Sequence, residues 1–251
     1  MKVIITAAGK GSRFIEYGIN KPKYLLRVNK KTLLEYSLLT IQDFFSEEFI
    51  FIFRNISSKE KIEEIIENCS NYNNEKINNY KIININDLTS GQAETVLKAE
   101  NFLNSNESIL VFNIDTFVFD SHNFIKRSNI DDSIDGLIYT TNAEGNHWSF
   151  AKTLPNSEKV VEVSEKIKIS DNASIGLYYF KSFKEFKNIA ISKSLEIKDK
   201  YKELYIMPIY KYLIENNKNI VIKKIPFKNF FPLGTPNEAI AFDENFIKEN
   251  K

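Results

Sequence analysis

The chain has 251 residues, 43% hydrophobic and 27% charged, with 34 Lys plus Arg against 33 Asp plus Glu for a net charge of +1. That composition excludes the disordered class, and the balanced charge leaves no global field that would select nucleic acid or an anionic membrane. Any anion site must be local. The single cysteine, Cys69, makes no internal disulfide and reads as a small half-buried apolar residue, as expected of a cytoplasmic protein. No apolar run approaches the roughly 18 residues of a membrane span, and "KVIITAA" at the start is too short for a signal sequence. The abundance of Asn, Lys, Ile and Phe reflects base composition, so the Asn-rich "NCSNYNNEKINNY" is expected to be a surface loop.

The chain opens with "VIITAA", a strand, followed by "GKGSRF". Two glycines one residue apart remove side chains where a backbone must approach a ligand, and Lys10 and Arg13 add charge beside them. Next comes "TLLEYSLLTIQDFF", with Leu33, Leu34, Leu38, Ile41 and Phe45 at helical spacing, then the strand "EFIFIF". "SSKEKIEEIIENC" predicts a helix with a Ser cap, an acidic first turn and Ile62, Ile65 and Ile66 repeating. "YKIINI" reads as a strand, "GQAETVLKAENFL" as a helix capped by Ser90, and "SILVFNID" as a strand. This alternation predicts an α/β fold with a mainly parallel, doubly wound sheet and ligands at the carboxyl ends of its strands.

After Asp115 the pattern changes. "GLIYTT", "SFAKTL", "KVVEV" and "ASIGLYYF" predict an antiparallel or mixed extension of the sheet. The helices "KELYIMPIYKYLIEN" and "TPNEAIAFDENFIKEN" then bracket a last strand, "NIVIKKIPF". Without a repeat or linker, one continuous domain over 1–251 is expected, with a change of character near residue 120.

Three phosphate loops compete for "GKGSRF". A dinucleotide fingerprint fails because Phe14 stands at the third glycine, Gly18 and Pro22 interrupt any long helix, and the later region reads "NKK". A P-loop fails because its glycine spacing and Gly-Lys-Ser/Thr ending are missing. "AAGKGSRF" followed by "NKPKYLL" instead resembles the signature of the sugar-phosphate nucleotidylyltransferases, a Rossmann-like, GT-A-like fold. In that family a phosphate oxygen of the acceptor attacks the α-phosphorus of a nucleoside triphosphate and pyrophosphate leaves.

The resemblance implies a set of roles, with 1–120 as the nucleotide-binding half and 121–251 as the acceptor-binding half. Ala7, Ala8, Gly9, Gly11, Ser12 and Arg13 would hold the triphosphate, with Arg13 on the leaving pyrophosphate, and Lys23 would be the catalytic lysine at the α-phosphate. "LTSGQAETV" would place Gly91 and Gln92 at the base, with Ala93 and Thr95 packing the turn, and "LVFNIDTFVF" makes Asp115 the magnesium ligand. Magnesium takes hard oxygen ligands and keeps waters, so one carboxylate plus phosphate oxygens is a workable shell. In "VVEVSEKIKISDNASIGLYYF", Lys166 would take the acceptor's phosphate, Glu165 would orient it, and Gly176 would admit the ligand to the backbone.

One departure stands near the end. Where many members carry Asp-x-Gly-Thr with a second metal-binding Asp, this chain has Pro232, Leu233, Gly234 and Thr235. Water or another acid such as Asp171 is the expected replacement. "NHWSFAKTL", with His147 and Trp148 as acceptor-pocket candidates, looks closest to bacterial cytidylyltransferases for phosphoglutamine or phosphocholine in capsule and surface polysaccharide synthesis. The expectation is a cytoplasmic, Mg²⁺-dependent cytidylyltransferase using CTP and a small phosphorylated acceptor, with oligomerisation open. A GT-A-type glycosyltransferase and a catalytically silent nucleotide-binding regulatory subunit are the alternatives.

Overall fold

The computed structural model describes residues 1–70 and 76–251; residues 71–75, inside the Asn-rich stretch read as a loop, lie outside it. The first half runs β1 (Lys2–Ala7), α1 (Ser12–Glu16), β2 (Arg27–Val28), β3 (Lys31–Thr32), α2 (Leu33–Thr40), β4 (Glu48–Arg54), α3 (Lys59–Ser70), β5 (Tyr80–Ile85), α4 (Gln92–Leu97) and β6 (Ile109–Phe112). The second half adds β7 (Thr116–Val118), β8 (Gly136–Asn142), β9 (Ser149–Thr153), β10 (Val160–Glu165), β11 (Asn172–Phe180), α5 (Phe183–Ser192), α6 (Ser194–Tyr201) and α7 (Met207–Glu215). It ends with β12 (Ile220–Ile225), β13 (Phe230–Pro232), α8 (Pro236–Phe242) and α9 (Phe246–Asn250).

Nine strands among the described residues form one mixed sheet. β5, β4, β1 and β6 lie side by side and parallel, as the alternating pattern predicts, and β11 joins antiparallel to β6. β11 also pairs with β8, to which β12 adds in parallel, while β9 and β10 extend the sheet antiparallel from the start of β11. Both faces are covered, so β1 is buried from Val3 to Ala7: Val3 and Ile5 join one core with Phe49, Phe51 and Phe53, whereas Ile4 joins the other with Ile50 and Ile52. Cys69 is fully buried in the first core, its thiol facing the Glu35 carbonyl.

A third core explains how the chain's end reaches its beginning. Phe14, Ile19, Leu26 and Tyr36 pack with Leu233, Ala239 and Phe246, so α8 and α9 close over the segment that follows the glycine loop. α2 opens with a reciprocal capping box between Thr32 and Glu35.

Two expectations are corrected. Helices α5 and α6 are absent from the sequence reading, because their buried residues Phe183, Phe186, Ala190 and Ile197 are sparse among charges. The cap of α4 is Gly91 rather than Ser90, whose backbone N–H and hydroxyl both donate to the Glu94 carboxylate.

Candidate active site

The loops at the carboxyl ends of β1, β4, β5 and β6 line one cleft of about 800 Å³. β1 ends at Ala7, and the chain turns through Gly11, which caps α1 with φ +66°. A Cβ at Gly11 would meet only ordinary contact, so that position requires the left-handed backbone; a Cβ at Gly9 would have nothing within 4 Å, and its face stands open. Ala7, Ala8, Gly9, Lys10, Gly11 and Ser12 all line the cleft.

Five side-chain cations line it, Lys10, Lys21, Lys23, Arg54 and Lys202, against two carboxylates, Asp115 and Glu203. That excess gives the local anion field the whole chain lacks. Lys23 sits on a tight turn after Pro22; its Nζ lies 2.5 Å from Asp115 Oδ2 and 5.7 Å from the Phe14 ring centroid. Asp115 follows β6, and its carbonyl accepts from the Leu233 N–H at 2.8 Å. Gly91 and Gln92 line the far wall, with the Gln92 amide donating to Thr6 Oγ1, and Thr95 Oγ1 lies 2.6 Å from Thr89 Oγ1.

The acceptor-side candidates stand apart from this lining. Lys166 follows β10 in a left-handed conformation, φ +58°, with its N–H on the Trp148 carbonyl. Its ammonium donates to Tyr205 Oη, and Tyr205 Oη donates to Glu203 Oε1 at 2.9 Å, so Lys166 reaches the cleft rim through two residues. Arg13 is exposed on α1 outside the lining, yet near enough for its charge to bear on the Tyr205 phenol. Glu165 is 4% exposed and accepts from Ser149 Oγ; burial lifts its carboxyl to about 7, against the opposing pull of Ser149 and Lys166.

Two placements differ from the expectation. The space above Gly176, φ +85°, is filled by the Asn113 side chain, which would come within 1.9 Å of a Cβ, so this glycine makes room for a cleft residue and not for a ligand. Trp148 packs its ring on Phe230 and His147 and donates to the Glu144 carbonyl, as a half-buried structural tryptophan outside the cleft lining.

Pro232 lies in β13 opposite Thr116 and offers no carboxylate, and Asp171 is exposed and paired with Lys168 at 3.1 Å, outside the lining. The acid beside Asp115 is Glu238 of α8. A Cβ on Gly234 would sit 3.1 Å from Asp115 Oδ2 and 3.5 Å from Glu238 Oε2, so the two carboxylates converge on space that only glycine leaves open. The sequence reading also missed Arg54, Asn113, Lys202 and Glu203. Arg54 carries a usable signal, a lone cation at the carboxyl end of an apolar strand.

The sequence matches the model of the nucleotidyl transferase family over residues 2–225. Among proteins with curated function, none matches the sequence. A solved nucleoside-diphosphate-sugar pyrophosphorylase from Vibrio cholerae RC9 is 32% identical, covers 96% of this chain and 99% of its own, and superposes with a TM-score of 0.80. A UDP-glucose pyrophosphorylase solved with UDP-glucose, at 17% identity, covers 98% of both chains with a TM-score of 0.75. The inositol-1-phosphate CTP transferase from T. maritima, at 13% identity, covers 100% of this chain and 96% of its own with a TM-score of 0.70. These last two share the fold. With the family model spanning nearly the whole sheet and the cleft built on its parallel strands, the chain belongs to the nucleotidyl transferase family.

Proposed function

We propose that the protein transfers a nucleoside monophosphate, CMP from CTP, to a small phosphorylated acceptor and releases pyrophosphate, in the synthesis of capsule or surface polysaccharide precursors. The observation that carries this reading is the contact of Lys23 with Asp115 inside a cation-lined cleft behind an open glycine loop. The choice of CTP, and of phosphoglutamine or phosphocholine over a sugar phosphate, rests on the sequence resemblance.

The resemblance implies a divalent metal, here taken as Mg²⁺. The donor set suits it: Asp115 and Glu238 are hard oxygen ligands converging beside Gly234. Among the described residues no three acidic, His or Cys side chains cluster, so phosphate oxygens and water would complete the shell. When bound, the metal neutralises charge on the phosphates.

The chain's own groups do the rest. The Gly9–Ser12 turn lets the backbone approach the triphosphate. Lys23, released from Asp115 by the incoming anion, neutralises the α-phosphate, and Arg13 stabilises the leaving pyrophosphate. Lys166 holds the acceptor phosphate in line with the α-phosphorus, since positioning and fixed charge supply most of the catalysis in phosphoryl chemistry.

A pyrophosphate-release screen of four nucleoside triphosphates against phosphoglutamine, phosphocholine and several sugar 1-phosphates tests the proposal. Release with CTP and one phosphorylated acceptor is expected. Silence across every pair overturns it.

A further inference from the structure

Residues 202–206 join α6 to α7 and form a strap between the two sides of the site. In its middle, Leu204 is buried and clasps the loop before α4: its N–H donates to the Ser90 carbonyl at 2.8 Å, and its carbonyl accepts from Ala93 N–H at 3.0 Å. The fit is tight, since a Cβ on Gly91 would lie 2.5 Å from the Leu204 backbone. The residues flanking Leu204 serve different sides: Glu203 lines the cleft, while Tyr205 takes Lys166.

The Tyr205 hydroxyl accepts from the Lys166 ammonium and donates to Glu203, using its lone pair and its proton in one chain. The ammonium also lies 4.5 Å from the Tyr205 ring centroid, a cation–π contact. Burial and the Glu203 carboxylate push the phenol above its ordinary pKa, which keeps the donating proton in place. An exposed lysine otherwise samples many rotamers, and this brace holds Lys166 in one.

We propose that Tyr205 is a positioning residue that aims the Lys166 ammonium at the acceptor's phosphate, its own place being set by the Leu204 clasp on the Ser90–Gly91 loop. The inference rests on the nucleotidyl transfer reading of the cleft, and adds a residue on the acceptor side that acts through Lys166.

Two variants separate its parts. Tyr205→Phe keeps the ring under the ammonium and loses the hydroxyl; Tyr205→Leu loses both. In pyrophosphate-release kinetics the acceptor KM is expected to rise about 3- to 10-fold in Tyr205→Phe and about 30-fold in Tyr205→Leu, with the nucleotide KM within about twofold of wild type. In parallel, an amine-acylating ester read by peptide mass spectrometry is expected to label Lys166 several-fold faster in Tyr205→Phe than in wild type. An unchanged acceptor KM makes Tyr205 a bystander, a lowered one means that it withholds Lys166, and equal labelling rates mean that it does not hold the amine; each overturns the proposal. The labelling readout needs no turnover, so a wild type that releases no pyrophosphate sinks the activity reading while the brace is still judged.

Discussion

The Lys23 ammonium lies 2.5 Å from the Asp115 carboxylate although 92 residues separate them, each side chain partly open to the cleft. The pair is only partly buried and adds on the order of 1 kcal/mol to stability, too little for folding alone to explain it.

Replacing either partner therefore tests chemistry with little structural cost. Lys23→Ala and Asp115→Ala are each expected to lower turnover at least about 100-fold, with thermal unfolding near that of wild type. Steady-state rates beside circular-dichroism melts make the comparison; a near-normal rate in either variant removes that residue from the reaction.

Glu238 approaches the metal question from the other side of Gly234. Glu238→Gln is expected to raise the Mn²⁺ concentration needed for half-saturation about 10-fold in the presence of CTP, measured by electron paramagnetic resonance without acceptor. Equal Mn²⁺ binding in variant and wild type would leave Asp115 as the lone protein carboxylate.

The two glycine positions should respond in opposite ways. Gly91→Ala forces a Cβ to 2.5 Å from the Leu204 backbone at φ +153° and is expected to cost at least about 2 kcal/mol, read from urea unfolding. Gly9→Ala, with open space around its Cβ, is expected to cost under about 1 kcal/mol while weakening nucleotide binding by calorimetry.

Glu165 ties stability to pH. Its carboxyl is raised from 4.5 to about 7 by burial, so the folded state keeps the proton that the unfolded chain has already lost. Its stabilising contribution is complete below pH 4.5 and disappears as pH rises through 7, a loss on the order of 3 kcal/mol. Glu165→Gln, which cannot ionise, is expected to melt above wild type at pH 8 and to lose that advantage near pH 4.5. Parallel melting curves for the two proteins across that range would refute the assignment.

The parallel half of the sheet was legible because its strands are buried on both faces and carry near-continuous apolar runs within "VIITAA", "EFIFIF" and "SILVFNID". Asp115 stood out for the same reason, a charge where such a run ends. Arg54 was harder, since the sequence does not show that β4 lies beside β1 and brings its terminal residue to the same cleft. Tyr205 was invisible: its contact with Lys166 depends on a connector clasping a loop more than a hundred residues earlier. Glu238 was hidden by reading the final motif by position, where Pro232 fails, when what matters is the space left by Gly234.

Cys69 has a practical consequence. The only thiol in the chain is sealed within the core and its pKa is pushed up by burial, so alkylating dyes and spin labels find nothing to react with in the folded protein. A single cysteine engineered onto the cleft rim would then carry a probe at one known address, turning the native molecule into a reporter of ligand arrival with no background to subtract.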